Sequence, residues 1–248
     1  MLELENVKFK RGDLEIGPLN FSLNQNEILT VIGKNGSGKT SSLLVINKEI
    51  KMESGKIIID DKNIKNLKPF EMSRYISYVQ QEIPEPLGLN VKDIMEINGF
   101  SRKYDYNELY NSLKICGVDN FIDRDFSTLS GGEKRMVMIS AAIYQDSKYI
   151  LLDEPSSFLD IDKLNILIKI INKLKNSGKG ILLVLHDINL AYKISDRIIL
   201  MKNGKIISYG NKNAINIKNL EMAYDTKFDK YDSPEGLRFY ASENNLTF

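Results

Sequence analysis

Residues 33–40 of the chain read GKNGSGKT, a glycine-rich segment that fits the pattern G-x-x-x-x-G-K-[ST]. The segment stands between a short β-branched run, Glu27–Ile32, and a stretch with helical spacing, Thr40–Ile50. Glycines here allow the backbone to wrap around a phosphate chain with its N–H groups inward, at the positive end of the following helix. A flexible loop that fits by chance is the alternative, but the flanking elements favour a phosphate-binding loop.

The side chains of this loop have distinct predicted roles. Lys39 is expected to reach the β- and γ-phosphates of a nucleotide, and the Thr40 hydroxyl is expected to bind Mg²⁺. The predicted nucleotide-binding residues of the loop are Gly33, Lys34, Asn35, Gly36, Ser37, Gly38, Lys39, Thr40 and Ser41.

Apolar runs on both sides of the loop predict a mixed α/β fold. Leu2–Phe9 and Ile16–Leu23 flank a Gly12-Asp13 turn, which predicts an antiparallel hairpin. Tyr149–Leu152 and Gly180–Leu185 are continuously apolar, as buried parallel strands are, and they bracket a stretch with helical spacing.

Shorter patterns add further strands. Lys56–Ile59 and Tyr75–Val79 are compact β-runs. Arg197–Met201 and Lys205–Tyr209 flank Asn203-Gly204, a dipeptide that favours the type I′ turn of a β-hairpin.

The middle of the chain has a different pattern. Strand signals are missing between residues 80 and 144, Pro84 and Pro86 mark an irregular connection, and Val91–Ile97 and Glu108–Cys116 have helical spacing. We interpret residues 80–144 as a helical subdomain inserted into a catalytic core of residues 1–79 and 145–248. The last forty residues are polar and mixed, and they are too few for another folded module of ordinary size.

Two carboxylates follow the apolar run Tyr149–Leu152 directly. Given the phosphate-binding loop upstream, we expect Asp153 to hold the magnesium shell and Glu154 to act as the base for the attacking water. Without that loop, a solvated strand end would be the preferred interpretation.

A third anion-binding candidate is the LSGGE sequence at Leu129–Glu133, which precedes residues with helical spacing. Ser130, Gly131 and Gly132 at a helix start offer backbone N–H groups and the helix dipole to an anion. Ser130 and Glu133 also fit the S-x-x-E capping box, and both interpretations can hold together.

The order of these motifs, with a phosphate-binding loop, then LSGGE, ILLDEP and a single histidine, resembles the ATP-binding subunit of ABC transporters. The likeness covers nearly the whole chain, and LSGGE is highly specific to that superfamily. It implies an α/β fold of the ABC-type P-loop NTPases, with a mostly parallel core sheet, an N-terminal antiparallel β subdomain and an inserted helical subdomain. It also implies a homodimer in which residues 33–40 of one chain and residues 130–132 of the other enclose Mg·ATP. Glu133 closes the signature, where glutamine is commoner.

Three further positions are implied by the resemblance. Gln81 corresponds to a glutamine that contacts the magnesium, with Gln80 as an adjacent rival. Asp160 corresponds to the aspartate of a loop that acts across the dimer, although it is equally suited to cap the helix that begins there. His186 corresponds to a histidine that contacts the γ-phosphate and helps to hold Glu154 and the water.

One position departs from the family pattern. Members usually carry an aromatic residue shortly after the first strand to stack on adenine, and Arg11 takes that place here. A guanidinium plane can also stack on a base. Phe9 is a weaker alternative, because it is expected to face the core.

The composition limits the setting in which the chain works. With 34 basic and 33 acidic residues the formal charge is +1, so no nucleic-acid partner is expected. A single cysteine, Cys116, cannot form an internal disulfide, and the N-terminus lacks a leader pattern. The longest apolar runs fall far short of the ~20 residues needed to span a bilayer. With the resemblance, this predicts a peripheral subunit at the cytoplasmic face of the membrane, held there by transmembrane permease subunits and linked indirectly to a substrate-binding protein.

Leu185–Ala191 and Lys202–Lys205 most resemble importers of iron chelates, haem or cobalamin. The alternative is a soluble ABC-type ATPase that acts in repair, translation or cluster assembly. A repair type would need long heptad segments between Gln81 and Ser130, and only a short helical stretch is present there. Translation types usually carry two cassettes in one chain. A regulatory module that never hydrolyses ATP is disfavoured because Glu154 and His186 are both present.

Overall fold

The computed structural model describes residues 1–84, 86–233 and 236–242. Residue 85, in the irregular connection, and residues 234–235 and 243–248, which we assigned to the catalytic core, lie outside this description. In chain order the strands are β1 (Leu2–Arg11), β2 (Leu14–Leu23), β3 (Ile28–Gly33), β4 (Ser54–Ile59), β5 (Lys62–Asn63), β6 (Ile76–Val79), β7 (Tyr149–Asp153), β8 (Gly180–Val184), β9 (Arg197–Lys202), β10 (Lys205–Asn211), β11 (Phe228–Ser233) and β12 (Gly236–Ala241). The helices are α1 (Lys39–Ile46), α2 (Pro69–Met72), α3 (Val91–Asn98), α4 (Tyr106–Ile115), α5 (Gly131–Gln145), α6 (Ile161–Asn176), α7 (Ile188–Ile194) and α8 (Ile217–Tyr224).

The strands form an antiparallel N-terminal sheet, a larger core sheet and a small C-terminal hairpin. The N-terminal sheet has the order β2-β1-β4-β5, and the pairing of β1 with β2 confirms the predicted hairpin. In the core sheet, β9, β3, β8, β7 and β6 are parallel neighbours in that order, and β10 is an antiparallel edge strand. Asn203 and Gly204 both have positive φ, at 47° and 76°, as the predicted type I′ turn requires.

Apolar sequence explains why the core strands lie inside. Every residue of β3, β7 and β8 is buried, as their continuous apolar runs predict for strands covered on both faces. Successive residues of β8 point to opposite faces. Leu182 joins an apolar cluster shared with the N-terminal sheet and α1, whereas Leu183 joins a second cluster shared with α5 and α6.

The parallel strands end at one edge of the core sheet. Val184, at the end of β8, lies opposite Val31 of β3 and Asp153 of β7. In open α/β sheets, ligands bind in the crevice outside the carboxyl ends of the strands. The loop at 33–40, the carboxylates after β7 and the histidine after β8 therefore meet at the edge where such a crevice forms.

The helix after the glycine-rich loop is shorter than its sequence pattern predicts. We expected it to span Thr40–Ile50, but α1 ends at Ile46. Lys48 has a left-handed φ of 64°, and its ammonium donates hydrogen bonds to the carbonyls of Ile64 and Leu67, at 3.0 and 2.9 Å. The left-handed backbone at Lys48 ends α1, and the Glu49 N–H then donates to the carbonyl of Leu44, five residues earlier, at 2.9 Å.

The helical prediction for the middle of the chain is confirmed for α3, α4 and α5. Helix α4 begins two residues before the predicted start, because the Asp105 carboxylate caps it by accepting from the Glu108 N–H at 3.1 Å. We propose that these three helices form the inserted subdomain. The sequence did not predict α8 or the β11–β12 hairpin. Among the described residues, no helix combines the length and apolarity that a membrane crossing requires.

Candidate functional site

A cavity of about 510 Å³ opens at the carboxyl edge of the core sheet, beside the start of α1. Its walls come from the β1–β2 hairpin, the glycine-rich loop and the segments that follow β6, β7 and β8. The lining residues are Arg11, Leu14, Asn35, Gly36, Gly38, Lys39, Thr40, Ser41, Gln81, Glu154 and His186. The structure thus brings together most of the residues that were singled out for nucleotide binding and hydrolysis.

The backbone of the loop leaves the start of α1 open. Gly33 has no room for a side chain, because an added Cβ would lie 2.2 Å from the carbonyl oxygen of Met201. Gly38 occupies the N-cap of α1 with a left-handed φ of 101°. Among the described residues, no side chain caps this helix, and its first turn holds no acidic residue. The first N–H groups of α1 are therefore available to an anion in the cavity.

Two side chains of the loop fit a bound phosphate chain. Lys39 is only 5% exposed, and its ammonium donates to the carbonyls of Gly33 and Lys34, at 2.9 and 3.1 Å. Burial lowers the pKa of Lys39, while the charges of Glu154 and Asp153 act in the opposite direction. The buried hydroxyl of Ser37 has no hydrogen-bond partner within the described residues. A buried cation and an unpaired buried hydroxyl are groups that a phosphate oxygen would satisfy.

Asp153 and Thr40 form a pair of oxygen ligands suited to Mg²⁺. Asp153 is fully buried, and its carboxylate accepts from the Thr40 hydroxyl at 3.2 Å and, more weakly, from the Tyr78 hydroxyl at 3.4 Å. Burial raises the pKa of Asp153, and the hydrogen bond from Thr40 opposes this shift. Mg²⁺ prefers hard oxygen ligands and is usually held by one or two carboxylates together with phosphates. The donor set therefore fits the metal.

Glu154 is held through both carboxylate oxygens. Gln81 donates its side-chain N–H to Oε2 at 2.9 Å, and the ring Nε2 of His186 contacts Oε1. Glu154 takes a left-handed φ of 48°, and its N–H donates to the carbonyl of Val184. Residues that follow three neighbouring strands thus fix one buried carboxylate at the wall of the cavity. Gln81 lines this cavity, whereas its neighbour Gln80 does not.

The LSGGE segment and Asp160 lie outside the cavity lining. Ser130 caps α5, and its hydroxyl and backbone N–H both bond to the Glu133 carboxylate at 2.8 Å. These bonds lower the pKa of Glu133 and confirm the predicted capping box. Asp160 accepts from the Lys163 N–H at 2.8 Å, which confirms its predicted capping of α6. Ser130 and Gly131 remain exposed, and Gly132 is buried.

Of the two residues considered near the end of β1, Arg11 reaches the cavity and Phe9 does not. Phe9 is 1% exposed and belongs to the apolar core, so it has no access to the cavity. Arg11 lines the cavity, and its guanidinium donates to the Ser41 hydroxyl at 3.1 Å.

Sequence reasoning missed Arg135, which supports the glutamine segment from behind. This arginine is completely buried, and its guanidinium donates to the backbone carbonyls of Gln80, at 2.6 Å, and of Gln81. Burial lowers its pKa, while the charges of Asp153 and Glu154 oppose the shift. The sequence signal was weak, because Arg135 directly follows Glu133 and Lys134 and so resembles part of the charged first turns of a helix.

The sequence profile of the family described as ABC transporter matches residues 16–157. The chain belongs to the ABC transporter family. An uncharacterised ABC transporter ATP-binding protein of Methanocaldococcus jannaschii is 30% identical to it, over 99% of this chain and 88% of that protein. The petrobactin import ATP-binding protein of Bacillus anthracis is 28% identical, over 95% of this chain and 98% of its own length.

Two solved structures have the same fold. A metal-chelate type ABC transporter described in an inward-facing conformation matches with a TM-score of 0.83 and 24% identity, over 99% of this chain and 98% of its own. A dimeric ATP-binding cassette in a post-hydrolysis state, with ADP and Pi bound, matches with a TM-score of 0.76 and 25% identity, over 86% of this chain and 99% of its own.

These findings confirm the predicted ABC-type P-loop NTPase fold. The chain is an ATP-binding subunit of an ABC transporter and hydrolyses ATP to power transport. Its cofactors are ATP and Mg²⁺. ATP-binding subunits of this family dimerise and work with transmembrane permeases from the cytoplasmic side.

Proposed function

We propose that this subunit powers the import of an iron chelate, haem or a cobalamin-like compound. The carrying observation is the match to the petrobactin import protein along almost the full length of both chains. The fold match to the metal-chelate type transporter, which also extends over nearly all of this chain, is consistent with this proposal. A permease and a substrate-binding protein would contact the cargo, and this subunit would supply the free energy of ATP hydrolysis.

In this proposal, the cavity described above binds the triphosphate and the metal. Lys39 and the N–H groups of residues 33–41 hold the phosphates, and Thr40, Asp153 and Gln81 hold the metal. When bound, Mg²⁺ would neutralise charge that develops on the phosphate oxygens. Glu154 accepts the proton of the attacking water, and His186 keeps its carboxylate oriented. This assignment is supported by the Gln81 and His186 contacts to the two oxygens of Glu154.

We infer that Arg11 provides the platform for the nucleotide base. Its hydrogen bond to Ser41 holds one edge of the guanidinium, and the side chain is exposed, so a guanidinium plane at this position could stack on a base. Arg11 also lies at the side of the cavity formed by the β1–β2 hairpin, together with Leu14. Stacking of this kind accepts any base, so we expect weak discrimination between ATP and GTP.

We further propose that a second copy of the chain completes the site through residues 130–133 and Asp160. Exposed apolar side chains support this interface: Phe158 is 79% exposed and Ile161 is 78% exposed. Phe158 lies beside the signature, since a Cβ added at Gly131 would come within 3.6 Å of the Phe158 Cβ. Large apolar side chains clustered on a surface mark interaction sites. The dimeric relative described above is consistent with this arrangement.

We propose that the permease docks at a second cavity, of about 480 Å³. It lies between α2, the end of α5 and Phe100, and Tyr78 lines its wall. Phe100 and the adjacent Phe70 are 58% and 46% exposed, and their rings meet edge to face at 6.3 Å. We propose that an apolar permease segment covers them. Phe100→Asp should abolish co-purification with the permease but leave Mg·ATP hydrolysis by the isolated subunit unchanged. Tyr104→Asp, at another exposed aromatic residue, should change neither property.

Uptake by intact cells tests the cargo. Cells that lack this subunit should lose import of one of three labelled compounds, namely ferric petrobactin, haemin or cobalamin, and the parental gene should restore it. The Lys39→Ala gene should fail to restore it, because that variant lacks the phosphate-binding cation. Unchanged uptake of all three compounds would refute the proposed cargo class without affecting the assignment as an ABC subunit.

A further inference from the structure

The C-terminal hairpin is fastened to α7 by one asparagine side chain. The amide of Asn189 donates to the carbonyl of Phe239 at 3.0 Å, and its oxygen accepts from the Phe239 N–H at 2.8 Å. Both backbone groups of one residue in β12 are thus paired by a single side chain. An amide side chain carries one acceptor and two donors, so it can pair a strand edge as a neighbouring strand would.

Packing makes this attachment specific. Phe239 is 3% exposed, and its ring meets that of Tyr192, on the next turn of α7, edge to face at 5.6 Å. In the hairpin Phe239 stands opposite Lys230 of β11, and its N–H and C=O point away from β11 to reach Asn189. Asn189 therefore pairs the backbone groups on the outer edge of β12 at Phe239, the residue whose side chain is buried in the core.

The same asparagine is joined to the segment that carries His186. Asp187 caps α7, and its carboxylate accepts from the N–H groups of Asn189 and Leu190, at 2.8 and 3.0 Å. His186 precedes this cap and contacts Glu154. The backbone of Asn189 is thus tied to the histidine segment, and its side chain is tied to the hairpin. A shift of α7 against the hairpin would move His186 relative to Glu154.

We propose that Asn189 is a positioning residue for ATP hydrolysis, which holds α7 against the C-terminal hairpin and so keeps His186 in register with Glu154. This inference rests on the proposed roles of His186 and Glu154. It gives the C-terminal hairpin of β11 and β12 a function in the hydrolytic site although none of its described residues lines the cavity.

The test compares Asn189→Ala with the parental protein in steady-state hydrolysis of Mg·ATP. Loss of the two hydrogen bonds should lower kcat about three- to tenfold, while KM for ATP stays within about twofold, because the phosphate-binding groups are untouched. Asn189→Asp keeps the acceptor for the Phe239 N–H but loses the donor, so its kcat should lie between those of Asn189→Ala and the parental protein. Asn219→Ala is the matched control: its amide bonds to the Ser208 hydroxyl and the Ala214 carbonyl away from the cavity, and its kcat should be parental.

A double-mutant cycle with His186→Ala separates positioning from general destabilisation. If Asn189 acts through the histidine, Asn189→Ala should not lower the residual kcat of His186→Ala any further. An equal loss in both backgrounds, or a loss that follows the melting temperature and is shared by Asn219→Ala, would overturn the proposal. If His186→Ala itself hydrolyses ATP at the parental rate, the proposed role of His186 fails first and this inference fails with it.

Discussion

Replacing Glu154 by glutamine separates its role as a base from its role in packing. The side chain is 9% exposed, and both of its oxygens are in contact, one with Gln81 and the other with His186. Glutamine has the same shape, and its amide oxygen can still accept from Gln81. The substitution therefore removes the negative charge and the proton acceptor but leaves the cavity wall in place.

The size of the expected effect follows from the step that is lost. A positioned general base contributes about 10²- to 10⁴-fold to the rate, which corresponds to roughly 3 to 5 kcal/mol of activation free energy. Nucleotide binding should respond differently, because a buried anion beside the phosphates is removed. We expect an ATP affinity equal to or tighter than that of the parental protein, together with a kcat reduced at least a hundredfold.

Three measurements check this prediction: phosphate release in a single turnover, equilibrium binding of ATP, and gel filtration with Mg·ATP present. The variant should bind ATP and elute as a dimer, because the two subunits are expected to separate only after the bound ATP is hydrolysed. Glu27→Gln is the matched control, since Glu27 is also buried and forms a 2.9 Å ion pair with Arg197 away from the cavity. Glu27→Gln should have a lower free energy of unfolding than the parental protein and the same rate of ATP hydrolysis. Phosphate release by Glu154→Gln at the parental rate would remove Glu154 from the role of base.

Three further outcomes are expected. Lys39→Ala should weaken ATP binding by about 1.5 to 3 kcal/mol in calorimetry, since a charge-assisted partner of the phosphates is lost, and unchanged affinity would contradict its role. Arg11→Ala should weaken ATP and GTP about two- to fivefold alike, whereas Arg11→Tyr should retain ATP binding; no effect of Arg11→Ala would exclude it as the base platform. Burial raises the pKa of Cys116 to about 12 from 9.0. The unfolded chain therefore ionises first, and the free energy of unfolding should fall between about pH 9 and 12, less steeply in Cys116→Ala, with denaturant titrations as the measurement. Equal slopes would refute this.

The local sequence pattern was sufficient to predict those parts of the site that are formed by a single segment of the chain. The loop at 33–40 could be predicted because its glycines, its lysine and the strand before it follow one another directly. The same holds for Asp153 at the end of β7 and for the capping of α5 by Ser130, where the partner residue is three positions away. In each case the chemistry depends on neighbours in sequence.

The sequence was insufficient where distant segments decide the structure. Arg135 is placed by carbonyls more than fifty residues earlier in the chain, and nothing in the pattern of α5 names those acceptors. The C-terminal residues alternate apolar with charged side chains, so they resemble a polar tail. Within the described part, α8 packs through Leu220 in the second apolar cluster of the core, and β12 is held by contacts of Phe239 with Tyr192 and Asn189. The end of α1 was also misplaced: Lys48 takes a left-handed backbone conformation, and its ammonium bonds to the distant Ile64 carbonyl, although the spacing up to Ile50 is helical.

The proposed site has two parts, the catalytic base and the signature, and one chain places only the base at the cavity. The carboxylate of Glu154 is already held between Gln81 and His186, with His186 followed by a helix that the C-terminal hairpin fastens. The signature at 130–133, by contrast, lies outside the cavity beside exposed Phe158. A second copy would therefore not need to build the base; it would need only to cover the phosphates. We therefore propose that dimerisation controls hydrolysis by closing the nucleotide cavity, while the geometry of the base depends on contacts within each subunit.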